Sequence, residues 1–287
     1  MDKKFFYKKK IIITGHTGFK GSWLSLWMHL MGAKVLGISN SEITTPSNFK
    51  TFNLGKKIIS KNIDIRNYKL LRKQIYKFKP DFIFHLAAEA IVKRAFLNPK
   101  KTWETNTLGT LNILEILKNY NKKVTTIIIT SDKVYKNKEI TKGYKENDEL
   151  GNLDPYSASK ASADLAAQSY IRYYLLNKKN LKIALARAGN VIGGGDWSEG
   201  RLVPDCIKSW SKNKKVLLRN PNSTRPWQHV LDVLHGYILL SINLSKNKKL
   251  NGEAFNFGPK IGKNNQVLNV VKEMEKLWSK AKWKINK

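Results

Sequence analysis

Short runs of β-branched residues alternate with longer segments whose apolar residues recur at helical intervals, up to about residue 188. The strand-like runs lie at residues 10–14, 35–38, 57–63, 82–86, 124–130 and 181–186. The helix-like segments lie at residues 23–31, 68–78, 107–117 and 158–176. This alternation predicts an α/β fold in which helices cover both faces of a doubly wound parallel sheet.

The pattern becomes irregular after residue 188, and Gly, Pro and Trp become more frequent there. A chain of 287 residues is long enough for one large or two modest domains. We therefore expect a sheet domain over residues 1–188. A smaller C-terminal substrate-binding region over residues 189–287 is expected to be interleaved with the last strands.

The chain is strongly basic, with 53 Lys and Arg against 21 Asp and Glu, which gives a formal charge of +32. Such a balance ordinarily suggests nucleic-acid binding. Here 45 of the 53 basic residues are lysines, scattered without a basic tail, and Arg, the better ligand for phosphates and bases, is scarce. Lys, Asn and Ile share A/T-rich codons and are all abundant. Compositional bias therefore explains the charge better than a nucleic-acid partner.

A glycine-rich turn follows the first strand and precedes the first helix. Gly15, Gly18 and Gly21 have the spacing G-x-x-G-x-x-G. In a strand–turn–helix unit, such glycines let backbone N–H groups approach a pyrophosphate at the positive end of the helix dipole. The turn predicts a dinucleotide site and a Rossmann-type sheet. The alternative is a plain tight turn that needs glycine for its backbone angles.

Recognition of the ribose and adenine is harder to read from the sequence. No acidic residue ends the second strand, where Ser39, Asn40 and Ser41 precede Glu42, and no Arg stands there to hold a 2′-phosphate. This favours NAD over NADP. Asp64 is a candidate adenine contact, and its alternative role is that of N-cap for the helix that begins near Asn67.

Two clusters of titratable residues are expected to meet at the carboxyl edge of the sheet. Tyr156 and Lys160 stand four residues apart on one helix face, a spacing that lets an ammonium group lower the pKa of a phenol. Residues 131–133, Ser-Asp-Lys, follow the strand at residues 124–130. Because ligands of open α/β sheets bind at that edge, the two clusters predict an active site.

Eight segments of the chain, taken together, resemble the CDP-glucose 4,6-dehydratases of the extended short-chain dehydrogenase/reductase family. They lie at residues 15–23, 85–88, 105–106, 129–133, 143–147, 154–160, 187–197 and 219–230. The most specific pieces are G-H-T-G-F-K-G-S-W-L, T-S-D-K, R-A-G-N-V-I-G-G-G-D-W and R-P-W-Q-H-V. The resemblance implies an NAD-dependent lyase that dehydrates the nucleotide sugar CDP-glucose, and a homodimer that packs through the helices at residues 107–117 and 158–176.

The resemblance also implies a role for each site residue. Tyr156 accepts the proton of the sugar C4 hydroxyl, Lys160 lowers its pKa, Ser131 hydrogen-bonds the C4 oxygen, Asp132 protonates the leaving C6 hydroxyl and Lys133 takes the C5 proton. The implied cofactor-binding residues are Gly15, Thr17, Gly18, Phe19, Gly21, Asp64, Ala87, Ala88, Asn106, Tyr156 and Lys160. The implied substrate-binding residues are Asn190, Arg201, Arg219, Arg225 and Asn256.

Other functions stay open at this stage. A second nucleotide-sugar dehydratase or a 4-epimerase is the nearest alternative, although the Asp132-Lys133 pair argues against a simple epimerase. Because the chain ends well before such enzymes normally do, an inactive fragment that binds NAD is a second alternative. A polyanion-binding protein is the alternative that the sequence favours least.

Cysteine content and hydropathy narrow the class of protein further. The single cysteine, Cys206, excludes a disulfide framework and a multi-cysteine metal site, and we expect it to be a buried apolar residue. No apolar run is long enough to cross a bilayer, and no leader segment is visible. We therefore expect a cytoplasmic protein that needs neither a membrane nor a metal.

Overall fold

A computed structural model of the chain describes residues 4–42, 44–140, 143–260 and 266–285. Its strands are β1 (Lys10–Thr14), β2 (Lys34–Ser39), β3 (Ile59–Asn62), β4 (Phe82–His85), β5 (Val124–Ile129), β6 (Leu181–Ala188), β7 (Val191–Ile192), β8 (Val216–Leu218), β9 (Gln228–His229), β10 (Ala254–Phe257) and β11 (Trp283–Ile285). Its α-helices are α1 (Phe19–Leu30), α2 (Asn48–Thr51), α3 (Leu54–Lys57), α4 (Tyr68–Phe78), α5 (Val92–Leu97), α6 (Pro99–Trp103), α7 (Gly109–Lys118), α8 (Pro155–Tyr170), α9 (Leu202–Trp210), α10 (Val230–Lys246) and α11 (Val267–Lys276).

Seven strands form one parallel sheet in the order β10-β6-β5-β4-β1-β2-β3. The strand order reverses between β1 and β4, which is where ligands of doubly wound sheets bind, at the carboxyl ends of the strands. The predicted doubly wound α/β fold is therefore confirmed. Helices cover both faces, so the central strands are buried along nearly their whole length, and all six residues of β5 are buried.

Two apolar cores lie on the two faces of this sheet. One packs α1 and α10 against it, with Leu24 and Tyr237 fully buried. The other packs α4, α7 and α8, with Leu71 and Ile113 fully buried. No helix in the described part of the chain is long and apolar enough to cross a membrane.

The chain after residue 188 contributes to both the sheet and a separate small core. Helix α10 and strand β10 belong to the sheet and its covering layer. Helices α9 and α11 instead pack with β8 and β11 around Trp210. Cys206 is fully buried in this small core, as predicted, and burial raises the pKa of its thiol to about 12.

Several predicted boundaries are wrong by a few residues, for local reasons. Helix α1 begins directly after Gly18 rather than at residue 23, because the glycine turn itself forms the helix start. The third strand is limited to Ile59–Asn62 within the predicted residues 57–63. Helices α7 and α8 each adjoin a π-helical turn, at Glu104–Leu108 and Ile171–Leu175, which apolar spacing does not reveal.

Candidate active site

One cavity of about 1240 Å³ opens at the carboxyl edge of the sheet, over the point where the strand order reverses. It exceeds the roughly 300–1,000 Å³ of a pocket for one drug-sized ligand, so it has room for a cofactor and a substrate together. The cavity is lined by most of the site residues predicted from the sequence: Gly15, Thr17, Gly18, Phe19, Gly21, Asp64, Ala87, Ala88, Ser131, Asp132, Lys133, Tyr156, Asn190, Arg201, Arg219 and Arg225.

The glycine turn leaves no room for a side chain at Gly15 or at Gly21. Gly15 has a φ of +75°, and a Cβ there would approach the backbone nitrogen of Ala87 to 2.8 Å. A Cβ on Gly21 would lie 2.0 Å from the carbonyl oxygen of Gly15. Gly18 caps α1 without a side-chain hydrogen bond, so the first N–H groups of this helix face the cavity without a side-chain acceptor. This cradle fits the pyrophosphate of a dinucleotide.

Asp64 lies at the far edge of the cavity and does not cap a helix. Its carboxylate accepts hydrogen bonds from the guanidinium of Arg66 and, at 3.1 Å, from the side chain of Asn40. The hydrogen bonds of Arg66 lower the pKa of Asp64 to about 2. The N-cap of α4 is Asn67, whose side-chain oxygen accepts from the N–H of Leu70 at 3.1 Å. The N-cap alternative for Asp64 is therefore wrong.

The turn after β5 presents Ser131, Asp132 and Lys133 to the cavity. The hydroxyl of Ser131 donates to the carboxylate of Asp132 at 3.0 Å and accepts from the N–H of Lys133 at 3.2 Å. Burial raises the pKa of Asp132, although the neighbouring ammonium groups of Lys133 and Lys20 oppose that rise. Burial lowers the pKa of Lys133, and the positive charges of Arg225 and Arg201 add to this effect. Burial thus raises the pKa of an acid and lowers that of the adjacent lysine, although the two opposite charges partly offset both shifts.

Helix α8 supplies the second cluster of the site. Asp154 caps the helix by accepting from the N–H groups of Tyr156 and Ser157 at 3.1 and 3.0 Å, and Pro155 occupies the first helical position. Tyr156 then faces Lys133, whose ammonium lies 5.6 Å from the centroid of the phenol ring. Lys160, one turn later, donates to the carbonyl oxygen of Ile129 at 3.1 Å, below the cavity.

Several groups act on the phenol of Tyr156. Burial raises its pKa, and the groups that oppose this rise are the Ser131 hydroxyl and the charge of Arg201. The Lys160 ammonium donates to the carbonyl oxygen of Ile129, and its expected effect on the pKa of Tyr156 stays a prediction. Burial also lowers the pKa of Lys160 to about 8, so its ammonium group gives up a proton more readily than that of an exposed lysine.

Asn106 supports the second cluster from behind without lining the cavity. Its amide donates to the Ser159 hydroxyl at 2.9 Å, and that hydroxyl donates to the carbonyl oxygen of Tyr156 at 2.7 Å. Its side-chain oxygen accepts from the N–H of Glu89 at 2.7 Å. Asn106 therefore fixes the first turn of α8 relative to the preceding helices.

The predicted substrate-binding residues divide into two groups. Asn190, Arg201, Arg219 and Arg225 line the cavity, where Arg201 is held by an ion pair of 2.7 Å with Asp196. Asn256, in β10, lies outside it. The side-chain oxygen of Asn256 accepts from the Tyr135 hydroxyl at 2.6 Å, and its amide donates to the carbonyl oxygen of Tyr144 at 2.9 Å. Both polar groups of the Asn256 side chain are thus hydrogen-bonded within the protein. The prediction that Asn256 contacts the nucleotide has no support in this arrangement.

Lys20 is a cavity residue that sequence reasoning missed. It is the second residue of α1, and its ammonium donates to the Tyr237 hydroxyl at 3.4 Å. Burial lowers the pKa of Lys20 to about 7, and the charges of Lys160 and Arg201 add to this effect. A sequence signal was present, because a lysine in the first turn of a helix opposes the helix dipole.

Two buried histidines, His16 in the glycine turn and His85 at the end of β4, give the free energy of unfolding a testable pH dependence. His85 bonds the Thr14 and Thr110 hydroxyls at 2.8 and 3.1 Å, and burial lowers its pKa to about 3. His16 bonds the Ser60 hydroxyl at 2.7 Å, and burial lowers its pKa to about 4. The unfolded histidines titrate near 6.5, so below that pH the unfolded state binds more protons than the folded state.

We expect the free energy of unfolding to fall as the pH drops from 6.5 towards 4, by up to about 1.4 kcal/mol per pH unit for each of the two histidines. Urea unfolding at several pH values measures this slope. His85→Gln is expected to flatten it, whereas His29→Gln, on the partly exposed side of α1, serves as the matched control. An unchanged slope in His85→Gln contradicts the assignment.

Comparison with known proteins agrees with this geometry. Residues 12–283 match the family model described as GDP-mannose 4,6 dehydratase. The chain is 43% identical over 289 residues to a CDP-glucose 4,6-dehydratase of Salmonella typhimurium, covering 99% of this chain and 80% of that protein.

Solved structures give the same result for the fold. A dTDP-glucose 4,6-dehydratase of Bacillus anthracis in complex with NAD superposes with a TM-score of 0.80 at 26% identity, covering 97% of this chain and 85% of the other. A UDP-glucose-4-epimerase of Stenotrophomonas maltophila with bound NAD reaches a TM-score of 0.84 at 18% identity, covering 97% and 86%, and so shows the fold alone. With this family match, this relative and this fold, the chain belongs to the nucleotide-sugar 4,6-dehydratases, hydro-lyases of the NAD-dependent epimerase/dehydratase family.

Proposed function

We propose that the protein dehydrates CDP-glucose to CDP-4-keto-6-deoxyglucose with NAD as a resident cofactor. The observation that carries this proposal is the meeting of Ser131, Asp132 and Lys133 with Tyr156 in a cavity that also contains the glycine cradle. An epimerase needs no acid and base for removing water across C5 and C6, whereas this site holds both. The cytidine base is supported by the 43% identity to the Salmonella typhimurium enzyme.

The cofactor has a defined place in this proposal. The glycine cradle would hold its pyrophosphate, Ala87, Ala88 and Asp64 its adenosine, and Tyr156 and Lys160 the ribose beside the reacting ring. NAD would supply the acceptor for the C4 hydride and later return that hydride to C6. The residues of the chain perform the proton transfers.

Each proton transfer has a candidate residue with suitable electrostatics. Tyr156 takes the proton of the C4 hydroxyl, while Ser131 hydrogen-bonds the same oxygen. The resulting C4 ketone acidifies the C5 proton, which Lys133 removes in its neutral form. Asp132, whose pKa is raised by burial, protonates the C6 hydroxyl so that it leaves as water. The charge of Arg225 lowers the pKa of Lys133, so the two side chains are near each other and could bind the diphosphate and the sugar side by side.

The substrate assay tests this proposal directly. We expect protein incubated with NAD⁺ and CDP-glucose to form a 4-keto-6-deoxy sugar, detected by its absorbance in alkali, and dTDP-glucose to give little product. In D₂O the product is expected to carry deuterium at C5, and Lys133→Ala to slow that exchange. Equal product from dTDP-glucose would contradict the base assignment, and absence of product despite bound NAD would favour the inactive-fragment alternative.

Homodimer formation stays a prediction. It is supported by apolar side chains that α8 and the π-helical turns expose to solvent, among them Leu108, Leu165 and Tyr173, which are 52%, 51% and 75% exposed. The boundary between a sheet domain and a substrate region at residue 188 also stays a proposal. It is supported by the separate small core around Trp210.

A further inference from the structure

Residues 193–197, the Gly194 loop, follow β7 and line the cavity. Two side chains hold this loop at a single backbone atom. The carbonyl oxygen of Gly194 accepts from the indole N–H of Trp23 in α1 at 3.0 Å and from the side-chain amide of Asn48 in α2 at 3.1 Å. Trp23 and Asn48 themselves lie outside the lining of the cavity. Any effect of these two donors on a bound substrate is therefore indirect.

The loop packs closely against its two donors. Gly195 has a φ of +80°, and a Cβ there would lie 1.7 Å from the side-chain oxygen of Asn48. Asn48 is only 5% exposed, and the ring of Trp23 packs edge-on against Phe52 with the ring centroids 4.7 Å apart. A buried amide loses free energy without an acceptor, so the Gly194 carbonyl is a needed partner of Asn48. The contact therefore fixes the loop at a defined place.

The loop in turn fixes an arginine of the cavity. Directly after the three glycines, the carboxylate of Asp196 accepts from the N–H of Ser198 at 3.0 Å and from the guanidinium of Arg201 at 2.7 Å. The side chain of Asp196 is 5% exposed, so the ion pair is largely shielded from water. The charge of Arg201 acts on both Tyr156 and Lys133. The position of this charge thus depends on where the loop places Asp196.

We propose that Trp23 and Asn48 are positioning residues, which fix the Gly194 loop and thereby aim the Arg201 guanidinium at the reacting side chains. The inference rests on the proposed function, in which Arg201 belongs to the substrate side of the cavity. Because both donors share one acceptor, the loss of one leaves the carbonyl with a partner, whereas the loss of both leaves it with none. The two losses should therefore be strongly non-additive.

Turnover and cofactor binding, measured on the same variants, test this inference. Trp23→Phe removes the indole N–H and keeps the ring contact with Phe52, and Asn48→Leu removes the amide at similar volume. We expect each single variant to lower kcat/KM for CDP-glucose by about threefold and the double variant to lower it by about 100-fold. The dissociation constant of NAD⁺ for nucleotide-free protein, measured by calorimetry, should change by less than about twofold, because neither donor lines the cavity.

The pH profile of the rate separates positioning from a general loss of structure. The charge of Arg201 lowers the pKa of Tyr156 and of Lys133, the two groups that must lose a proton to react. Once the loop no longer holds Arg201, both pKa values rise, and the double variant should reach half of its maximal rate at a higher pH than wild type. A protein that is merely destabilised loses rate by the same factor at every pH. The charged and titratable groups that face Arg201 are Asp196, Lys133, Tyr156 and Lys20.

A double variant of Trp27→Phe and Asn180→Leu is the matched control. Trp27 lies one turn after Trp23 in α1, and its ring stacks on His235 with the centroids 6.3 Å apart. The amide of Asn180 donates to the carbonyl oxygen of Tyr120 at 2.9 Å, at the amino end of β6. The control thus removes the same two groups away from the cavity. It should retain the wild-type kcat/KM and pH profile.

The outcomes distinguish the inference from the proposed function. A double variant whose loss equals the product of the single losses would overturn the inference, and so would an unshifted pH profile. A loss of NAD⁺ affinity that parallels the loss of kcat/KM would overturn it as well, since α1 and its glycine cradle would then be damaged. Absence of product from wild-type protein would overturn the proposed function together with the inference. Thermal unfolding checks each variant, and Asn48→Ala replaces Asn48→Leu if the latter does not fold.

Discussion

Tyr156→Phe is expected to lower the rate of product formation from CDP-glucose by about 10³-fold, the usual contribution of a positioned proton acceptor. The substitution removes the hydroxyl that takes the C4 proton and keeps the ring, over which the Lys133 ammonium lies at 5.6 Å. Folding should therefore be retained, while the cofactor loses one hydrogen-bond partner at its ribose. The alkaline absorbance of the keto sugar measures the rate, and nucleotide binding by the variant is measured separately.

Tyr170→Phe provides the matched control for this experiment. Tyr170 lies near the end of the same helix, and its hydroxyl donates to Glu115 at 3.1 Å, away from the cavity. It should retain the wild-type rate. More than a tenth of wild-type activity in Tyr156→Phe would show that another group accepts the proton.

The pH dependence of the rate gives an independent check on Tyr156. Burial raises the pKa of its phenol, and the Ser131 hydroxyl lowers it. The phenolate is the reactive form, so the rate should increase as the pH rises towards that pKa. Ser131→Ala removes one of the two groups that lower the pKa, the other being Arg201, and its rate profile should therefore shift to higher pH.

Local sequence patterns predicted the sheet and most of the cavity. The strands could be predicted because both faces of the sheet are covered, so β1 and β5 each contain a run of three buried isoleucines. The glycine turn and the Tyr156–Lys160 spacing are equally local, since each depends on residues fewer than eight positions apart. Parallel strands bring their carboxyl ends to one edge, so topology alone placed Ser131 near Tyr156.

These local patterns could not predict contacts between segments that are far apart in the sequence. Asn256 was expected in the substrate site, but its backbone N–H and its side chain form hydrogen bonds with Tyr135, Tyr144 and Glu146. The direction of the Lys160 ammonium depends on the carbonyl oxygen of Ile129, 31 residues earlier in the chain. The lowered pKa of Lys20 could not be predicted, because it depends on burial and on the charges of Lys160 and Arg201, which are distant in the sequence.

A buried ion pair fixes the turn that carries Asp132 and Lys133. The guanidinium of Arg187 in β6 donates to both carboxylate oxygens of Asp164 in α8, at 2.9 and 2.7 Å, and neither side chain is more than 1% exposed. Arg187 also donates to the Tyr135 hydroxyl at 2.9 Å, and Asp164 accepts from the Thr130 hydroxyl at 2.8 Å. The turn after β5 is thus anchored on both sides, by Thr130 before it and Tyr135 after it.

Arg187→Met is expected to lower the free energy of unfolding by about 3–5 kcal/mol, because it leaves the carboxylate of Asp164 buried without its positive partner. Urea unfolding at pH 7 measures this loss. Lys276→Met removes an exposed ion pair with Glu273 and should cost less than about 1 kcal/mol.

The double variant Arg187→Met/Asp164→Leu should recover much of the stability, since no buried charge then lacks a partner. It should nevertheless remain a poor catalyst, because Thr130 and Tyr135 no longer have the groups that hold the turn between them. A double variant as unstable as Arg187→Met would show that the lost hydrogen bonds, rather than the unpaired charge, cause the effect.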